Sequence, residues 1–316
     1  MSYGMSMGQQ NIFERVPGLM EVLLQDHSTG ENIRWACSDY EYLGDEFKKD
    51  QEIKEFLITG QYKDVVRPRI MKTADAVSER VRGKAEVFTP LWVCNRQNNL
   101  IDAAWFGCEG VFNQETHNGW ITITEKIAFP GGRHRTWEHY VDARRMEITC
   151  GEGPYLTSRY DPVSGTEVPL PDRIGLLDRK FRVISENAAD SDEWTKWAVR
   201  AVQATYGYDA QGDNVLLARE NLLYDFCENY EAFIGEPPDK KLIRTVANII
   251  SWNIWQMDGI TMTAPFSSVP GVGYQYNLFE DPGDRDKVEV PCKIKDWRSK
   301  ITCRYKELAG GQKDGR

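Results

Sequence analysis

Residues 147 to 153 combine an acidic side chain with two glycines at the end of an apolar segment. The order is Glu147-Ile-Thr-Cys-Gly151-Glu-Gly153, followed by a short polar stretch. Glycine lets a ligand lie close against the backbone, and the N-terminus of a nearby helix favours a negative group. The segment therefore predicts the strand, glycine turn and helix of a nucleotide-binding unit. An ordinary strand-to-loop turn is the alternative, because a Gly-x-Gly turn alone is weak evidence.

Two later segments also place an acid where a strand is expected to end. Tyr-Gly-Tyr-Asp209 is a short predicted strand, and its terminal carboxylate could accept both ribose hydroxyls of an adenosine. Asp258, which precedes Gly259, could hold an adenine amino group after a third strand. The alternatives are a surface acid beside a helix that Asp213 or Asn214 caps, and a plain Asp-Gly turn.

Thr89 and Pro90 lie upstream, at the expected start of a helix. Proline is tolerated in a first helical turn, so a helix that begins just after Thr89 is predicted. The Thr89 hydroxyl could hydrogen-bond the amino-acid end of a cofactor, or it could simply cap the helix.

The elements that must position these residues alternate between strands and helices. The pattern predicts a half-buried strand over residues 120–129, helices over 194–202 and 214–233, and a further helix that leads into a third strand near residue 254. Pro237-Pro238 is expected in a loop. In the region after residue 265 only 292–297 and 300–305 are expected to be ordered. The fold class predicted is α/β.

Composition limits the function classes. The 316 residues carry a formal net charge of −9 and no run of 18 apolar residues, and the first residues lack a secretory pattern. A cytoplasmic protein without membrane association is therefore expected. Seven cysteines are scattered without metal-ligand spacing, so no metal site is expected. The acidic charge argues against DNA binding by this chain alone, because phosphate neutralisation supplies most of such binding.

In this fixed order the motifs resemble those of a known family, the amino (N6-adenine) DNA methyltransferases that serve as M subunits of restriction–modification systems. EVFTP (86–90) resembles their first motif and EITCGEGPYL (147–156) their cofactor loop. YGYDAQGDNVLLAREN (206–221) resembles their ribose-acid strand and helix, and NIWQMDGI (253–260) resembles their third motif. The resemblance covers about residues 86–260. It implies S-adenosylmethionine as cofactor and a Rossmann-like methyltransferase core, incomplete if the chain lacks its later strands.

The resemblance also implies which residues bind the cofactor. Thr89 would hold the methionine end, the two loop glycines would allow close backbone approach, Asp209 would bind the ribose and Asp258 the adenine. The full set is Phe88, Thr89, Pro90, Glu147, Thr149, Cys150, Gly151, Glu152, Gly153, Tyr208, Asp209 and Asp258.

The sequence departs from the family in its catalytic motif. These enzymes use an Asn/Asp-Pro-Pro-aromatic tetrapeptide, whose polar acceptors bind the adenine amine while the aromatic ring stacks on the flipped base. No such tetrapeptide follows Asp258. The interpretation that we favour is a split enzyme, in which a second methyltransferase or specificity chain supplies catalysis and target recognition. The alternatives are an inactive structural or regulatory subunit, and a divergent catalytic motif that uses Asn253 and Trp255.

Three regions follow from these interpretations. Residues 1–85 are expected to form an α+β extension, residues 86–265 the cofactor-binding core, and residues 266–316 an irregular tail. A core that stops after its third motif would leave a sheet edge open, and an open edge favours association. We therefore expect an obligate partner chain or self-association, with DNA contacted through the complex.

Overall fold

A parallel three-stranded sheet organises the middle of the chain. The computed structural model describes residues 12–68, 71, 89–267 and 289–309, and of residues 269–270 and 287–288 the backbone only. The sheet has the order β3-β4-β5, and these strands span Arg145–Ile148, Thr205–Asp209 and Ile254–Gln256. The register pairs Glu147 with Gly207 and Tyr208 with Trp255. The chain is therefore a mixed α/β protein, as the sequence predicts.

The remaining strands form small antiparallel pairs. β1 (Asn113–Glu115) pairs with β2 (Trp120–Thr122), β6 (Val269–Pro270) with β7 (Lys287–Val288), and β8 (Lys293–Asp296) with β9 (Ile301–Arg304). Helices α1 to α8 span Leu19–Leu24, Leu91–Phe106, Trp137–Asp142, Leu176–Asn187, Ser191–Gln203, Gly212–Ile234, Lys240–Asn253 and Tyr305–Ala309.

Helices provide the crossovers that parallel strands require. α4 and α5 connect β3 to β4, and α6 and α7 connect β4 to β5. α5 and α7 begin at aspartates whose carboxylates accept a backbone N–H of the first turn, and α6 ends at Gly235 in a left-handed conformation. The predicted helix after Thr89, the helix over 214–233 and the loop at Pro237-Pro238 are confirmed.

The two faces of the sheet enter different cores. All five residues of β4 are buried, and their side chains alternate between the faces. Tyr206 and Tyr208 pack with Trp255 and Met257 against Cys292 and Ile294 of the C-terminal region. The opposite face belongs to a large core shared by helices α4 to α7 and by the N-terminal region from Ile12 to Ile58. In the C-terminal region, β8 and β9 lie within the two segments expected to be ordered, while β6, β7 and α8 are further elements that the sequence pattern does not predict.

The glycine turn is not followed directly by a helix. The chain from residue 149 to residue 175 contains an isolated antiparallel bridge between Tyr160 and Glu167 and a 3-10 turn at Leu170–Asp172, and α4 begins only at Leu176. Pro154, Pro162 and Pro169 interrupt this segment, and proline both lacks an N–H and restricts the residue before it. The expected strand–turn–helix arrangement is therefore wrong in its third element.

The strand expected over residues 120–129 is also shorter than expected. β2 ends at Thr122, although the Ile123 N–H still donates to the Phe112 carbonyl at 3.0 Å. Beyond Thr122, side chains of α4 form hydrogen bonds with the backbone of this segment. Glu186 accepts the N–H of Ile127, and Arg182 donates to the carbonyl of Glu125. Side chains of a distant helix thus replace ladder hydrogen bonds, which an alternating pattern cannot reveal.

β3 is an outer strand of the described sheet. Met146 is 39% and Ile148 63% exposed, although both lie on the face that buries Tyr206 and Tyr208 in the next strand. Within the described residues, this part of the sheet face is therefore uncovered next to β3. No described helix is long and apolar enough to cross a membrane.

Candidate functional site

The carboxyl ends of β3, β4 and β5 meet at one edge of the sheet, where open α/β proteins bind ligands. Glu147 lies on β3 and is 8% exposed. The backbone amides of Tyr155 and Leu156 face its carboxylate, while its Oε2 atom is buried without a hydrogen-bond partner. Burial raises the pKa of Glu147 well above its ordinary value, and the nearby Asp209 carboxylate contributes in the same direction. A ligand donor at Oε2 would relieve an unfavourable burial.

The glycine loop follows β3 directly. Thr149, Gly151 and Gly153 adopt left-handed conformations with φ of 49°, 54° and 81°. Such angles suit glycine, and at Thr149 they mark backbone strain of the kind found at functional sites. The Cys150 N–H continues the ladder by donating to the Tyr208 carbonyl at 2.8 Å. A Cβ on Gly153 would lie 3.6 Å from Ala218 and Leu222, so this glycine brings the loop against α6.

Asp209 joins the glycine loop to β4 and to α6. Its Oδ2 accepts the Gly151 N–H at 2.9 Å, and its Oδ1 accepts the Gln211 N–H at 2.9 Å and an Asn214 amide hydrogen at 3.2 Å. Burial raises the pKa of Asp209, against the effect of these hydrogen bonds. A carboxylate has about four acceptor positions, and three of them are occupied in Asp209. Ribose hydroxyls would therefore have to use the remaining acceptor position or displace one of these donors.

Thr89 and Pro90 lie beside the glycine loop through Tyr155. The Tyr155 phenol is close to both Thr89 and Cys94, and burial raises its pKa to about 12. α2 has Pro90 as its N-cap residue, with no side-chain capping bond. The structure thus places Thr89 beside Tyr155, two residues after the glycine loop. Phe88, which the family resemblance also implicates, lies outside the described residues.

Asp258 follows β5 and forms a turn. Its Oδ1 accepts the N–H groups of Ile260 and Thr261 at 2.8 and 3.0 Å. Gly259 lies against the Tyr208 ring, where an added Cβ would be 3.4 Å from the ring. The Asp-Gly turn weighed as the alternative is therefore present, and it places Asp258 and Tyr208 together at the edge of the sheet.

Glu152 contacts Tyr160 and Asn221. Its Oε2 accepts the Tyr160 hydroxyl at 2.5 Å, and its carbonyl accepts an amide hydrogen of Asn221 at 3.0 Å. The cofactor contact predicted for Glu152 stays a prediction, and its observed contacts are with the protein itself.

Asn253 and Trp255 occupy structural positions. Asn253 is the last residue of α7, at the amino end of β5, and its amide donates to the carbonyls of Val202 and Thr205 while its Oδ1 accepts the Trp297 indole N–H. Trp255 is 2% exposed and packs in the core that contains Tyr208. These surroundings give both residues a role in holding the fold and give the divergent catalytic motif no support.

The N-terminal region also contributes to the site, although the sequence does not predict it. The N-terminal region crosses the carboxyl ends of β4 and β5, where Gln256 accepts the Arg34 N–H at 2.7 Å and donates to the Arg34 carbonyl at 2.8 Å. Gly212, the first residue of α6, donates its N–H to the Trp35 carbonyl. Tyr40 donates its hydroxyl to Asp213 at 2.6 Å. No periodicity or spacing in the sequence signals these contacts.

Within the described residues no three His, Cys, Asp or Glu side chains converge as a metal site would require. No protein-family model, no curated protein and no solved structure matches the chain. The chemistry of the site therefore rests on its own geometry.

Proposed function

We propose that this chain binds S-adenosylmethionine at the carboxyl edge of its parallel sheet, as the cofactor-binding subunit of an adenine DNA methyltransferase in a restriction–modification system. The observation that carries the proposal is the buried, unpartnered Oε2 of Glu147 beside the glycine loop. S-adenosylmethionine bears an ammonium group that would supply the missing donor. Its charge would also offset the burial of the carboxylate.

The arrangement of the other residues supports the same ligand. Thr89 and the glycine loop lie near Glu147, Asp209 ends the adjacent strand, and Asp258 lies in the turn after the third strand. A methionine end, a ribose and an adenine would meet these groups in that order along the edge. This is the order of a Rossmann-like methyltransferase core, which is the fold that we infer for the described sheet and its helices.

A second chain completes the enzyme in this proposal. The sequence lacks an Asn/Asp-Pro-Pro-aromatic tetrapeptide and carries a net charge of −9. The outer strand of the described sheet, β3, exposes Ile148. We infer that a partner in the cytoplasm supplies the catalytic motif and target recognition, and that DNA is bound by the complex.

The second candidate is a structural subunit that has lost cofactor binding. One observation favours it: Asp209 already accepts three hydrogen bonds from the chain itself. The cofactor-binding candidate predicts that S-adenosylmethionine binds to the chain, alone or in complex with its partner. The structural candidate predicts no binding in either form.

Calorimetric titration of S-adenosylmethionine tests the proposal. We expect binding by the folded wild-type chain and a loss of about tenfold or more in affinity for Glu147→Gln, because a charged hydrogen bond is removed. Glu115→Gln, at an exposed position of β1, is the matched control and should bind like the wild type. If neither the chain nor its complex with the partner binds, the structural role is correct.

The pH dependence of binding gives a second prediction. Because the pKa of Glu147 is raised in the free protein, the carboxyl is protonated at low pH and must lose its proton to pair with an ammonium group. Affinity should therefore rise with pH between 5 and 7, by up to about tenfold per pH unit below the Glu147 pKa. The ligand ammonium stays charged in this range, since α-amino groups titrate near about 7.7.

Titrations in buffers of different ionisation enthalpy should show proton release by the wild-type chain and none by Glu147→Gln. Equal pH profiles for the two proteins would rule out Glu147 as the ammonium partner.

A further inference from the structure

The side chains of Tyr160 and Asn221 connect Glu152 to α6. Tyr160 donates its hydroxyl to the Glu152 carboxylate at 2.5 Å. Asn221, on α6, donates from its amide both to the Glu152 carbonyl at 3.0 Å and to the Tyr160 oxygen at 3.1 Å. The loop residue between the two glycines is therefore held by its side chain and its backbone together.

The tether is itself anchored. Arg159 donates to the Asn221 Oδ1 at 3.5 Å and forms an ion pair at 2.5 Å with Glu228, about two turns further along α6. Burial, and next the Glu152 carboxylate, raise the pKa of Tyr160 well above its ordinary value, so the phenol remains a donor at neutral pH. Two turns of a long helix thus hold the segment that follows the loop.

The loop needs such a tether because its flanking residues are glycines. Gly151 and Gly153 adopt φ of 54° and 81°, and glycine retains more backbone freedom than any other residue when it is not held. A loop that must order itself on binding lowers affinity by the entropy that it loses. A loop held in advance does not.

Glu152 also borders a small cavity. Its side chain lines a cavity of about 10 Å³ with Tyr160, Asn221 and Arg159, among other residues. A cavity of that size holds about one water molecule.

We propose that Tyr160 and Asn221 are positioning residues that fix the glycine loop through Glu152, which acts on the loop and not on the cofactor. The proposal rests on the proposed function only for its effect on affinity. The effect on the loop itself can be measured without any ligand.

Hydrogen exchange of the peptide that covers residues 147–156 measures loop order directly, because the Gly151 and Gly153 amides donate to Asp209 and Cys150. Tyr160→Phe and Glu152→Ala should each speed exchange in this peptide by about tenfold and weaken S-adenosylmethionine binding by about threefold to tenfold. Glu152→Gln keeps a hydrogen-bond acceptor for Tyr160 and should restore both properties to within about twofold of the wild type.

Thr122→Val is the control, because it also removes one partly buried hydrogen bond, from Thr122 to Asp172 at 2.7 Å, but on β2. It should change neither property. If Glu152 touched the cofactor as a charge, Glu152→Gln would weaken binding as much as Glu152→Ala without faster exchange, and the proposal would be overturned. Unchanged exchange in Tyr160→Phe would overturn it as well. A wild type that does not bind S-adenosylmethionine removes the proposed function, while the exchange measurements still decide the positioning role.

Discussion

Replacing Arg179 with methionine is expected to lower the free energy of unfolding by about 3 to 5 kcal/mol. Arg179 lies on α4, is 1% exposed, and forms an ion pair with Asp102 of α2, which is 2% exposed. Its other Nη donates to Asn95 and Asn99 at 2.8 Å each. Methionine would leave the Asp102 carboxylate buried without its cation, and an uncompensated buried charge is among the costliest changes in a core. Chemical denaturation measures the change.

Two further variants make the cause specific. Arg96→Met removes an arginine of α2 that pairs with Glu115 at the surface, where the side chains are 56% and 36% exposed, and should cost less than about 1 kcal/mol. Adding Asp102→Asn to Arg179→Met should restore part of the stability, because it removes the orphaned charge and keeps an acceptor for the Tyr140 hydroxyl. A double variant no more stable than Arg179→Met would show that packing, not charge, dominates the cost.

This network also supports the candidate site. α2 begins directly after Thr89 and Pro90, and Arg179 of α4 holds the helix against the core behind the sheet. The position of Thr89 beside Tyr155 is therefore supported by a buried ion pair between two residues that are 77 apart in sequence. Loss of the pair should loosen one wall of the site before it changes the glycine loop.

The sequence predicts those helices and strands whose formation depends on neighbouring residues. The proline after Thr89, the run of apolar residues in α6 and the short strand that ends at Asp209 are each visible in a few neighbouring residues. Their predicted positions are confirmed to within a few residues. The convergence of Glu147, Asp209 and Asp258 at one sheet edge also follows, since parallel strands end on the same side.

What the sequence could not reveal depends on contacts between distant residues. The early end of β2 depends on Arg182 and Glu186 of α4, which take the backbone groups that a longer strand would use. Asn253 offers an amide and precedes an aromatic residue, yet its hydrogen bonds are used between α7, β4 and Trp297. Glu152 lies between two loop glycines, yet its carboxylate turns toward Tyr160. Residue type suggests chemistry in each case, and only the partner's position decides it.

The N-terminal region is the largest such case. Arg34 and Gln256 are 222 residues apart, and the hydrogen bonds between them close the carboxyl edge of β4 and β5 on one side. A single hydrophobic core contains residues from both the N-terminal region and the sheet with its helices.

Gly212→Ala is expected to destabilise the chain by about 2 to 3 kcal/mol, although alanine is the better helix former. A Cβ at this first residue of α6 would lie 2.0 Å from the Arg34 carbonyl oxygen and 2.9 Å from Ile53 Cδ1. Helix propensity favours alanine by at most about 1 kcal/mol, whereas this clash is with backbone and must displace the N-terminal region. Chemical denaturation measures the loss in free energy of unfolding. Faster hydrogen exchange over residues 32–36 would show that the displacement occurs in the N-terminal region. Gly119→Ala, whose Cβ would meet only the Thr116 hydroxyl at 3.4 Å, is the control and should change stability little. If both variants were equally stable, the N-terminal region would not be seated on α6 as the Trp35 and Arg34 contacts require.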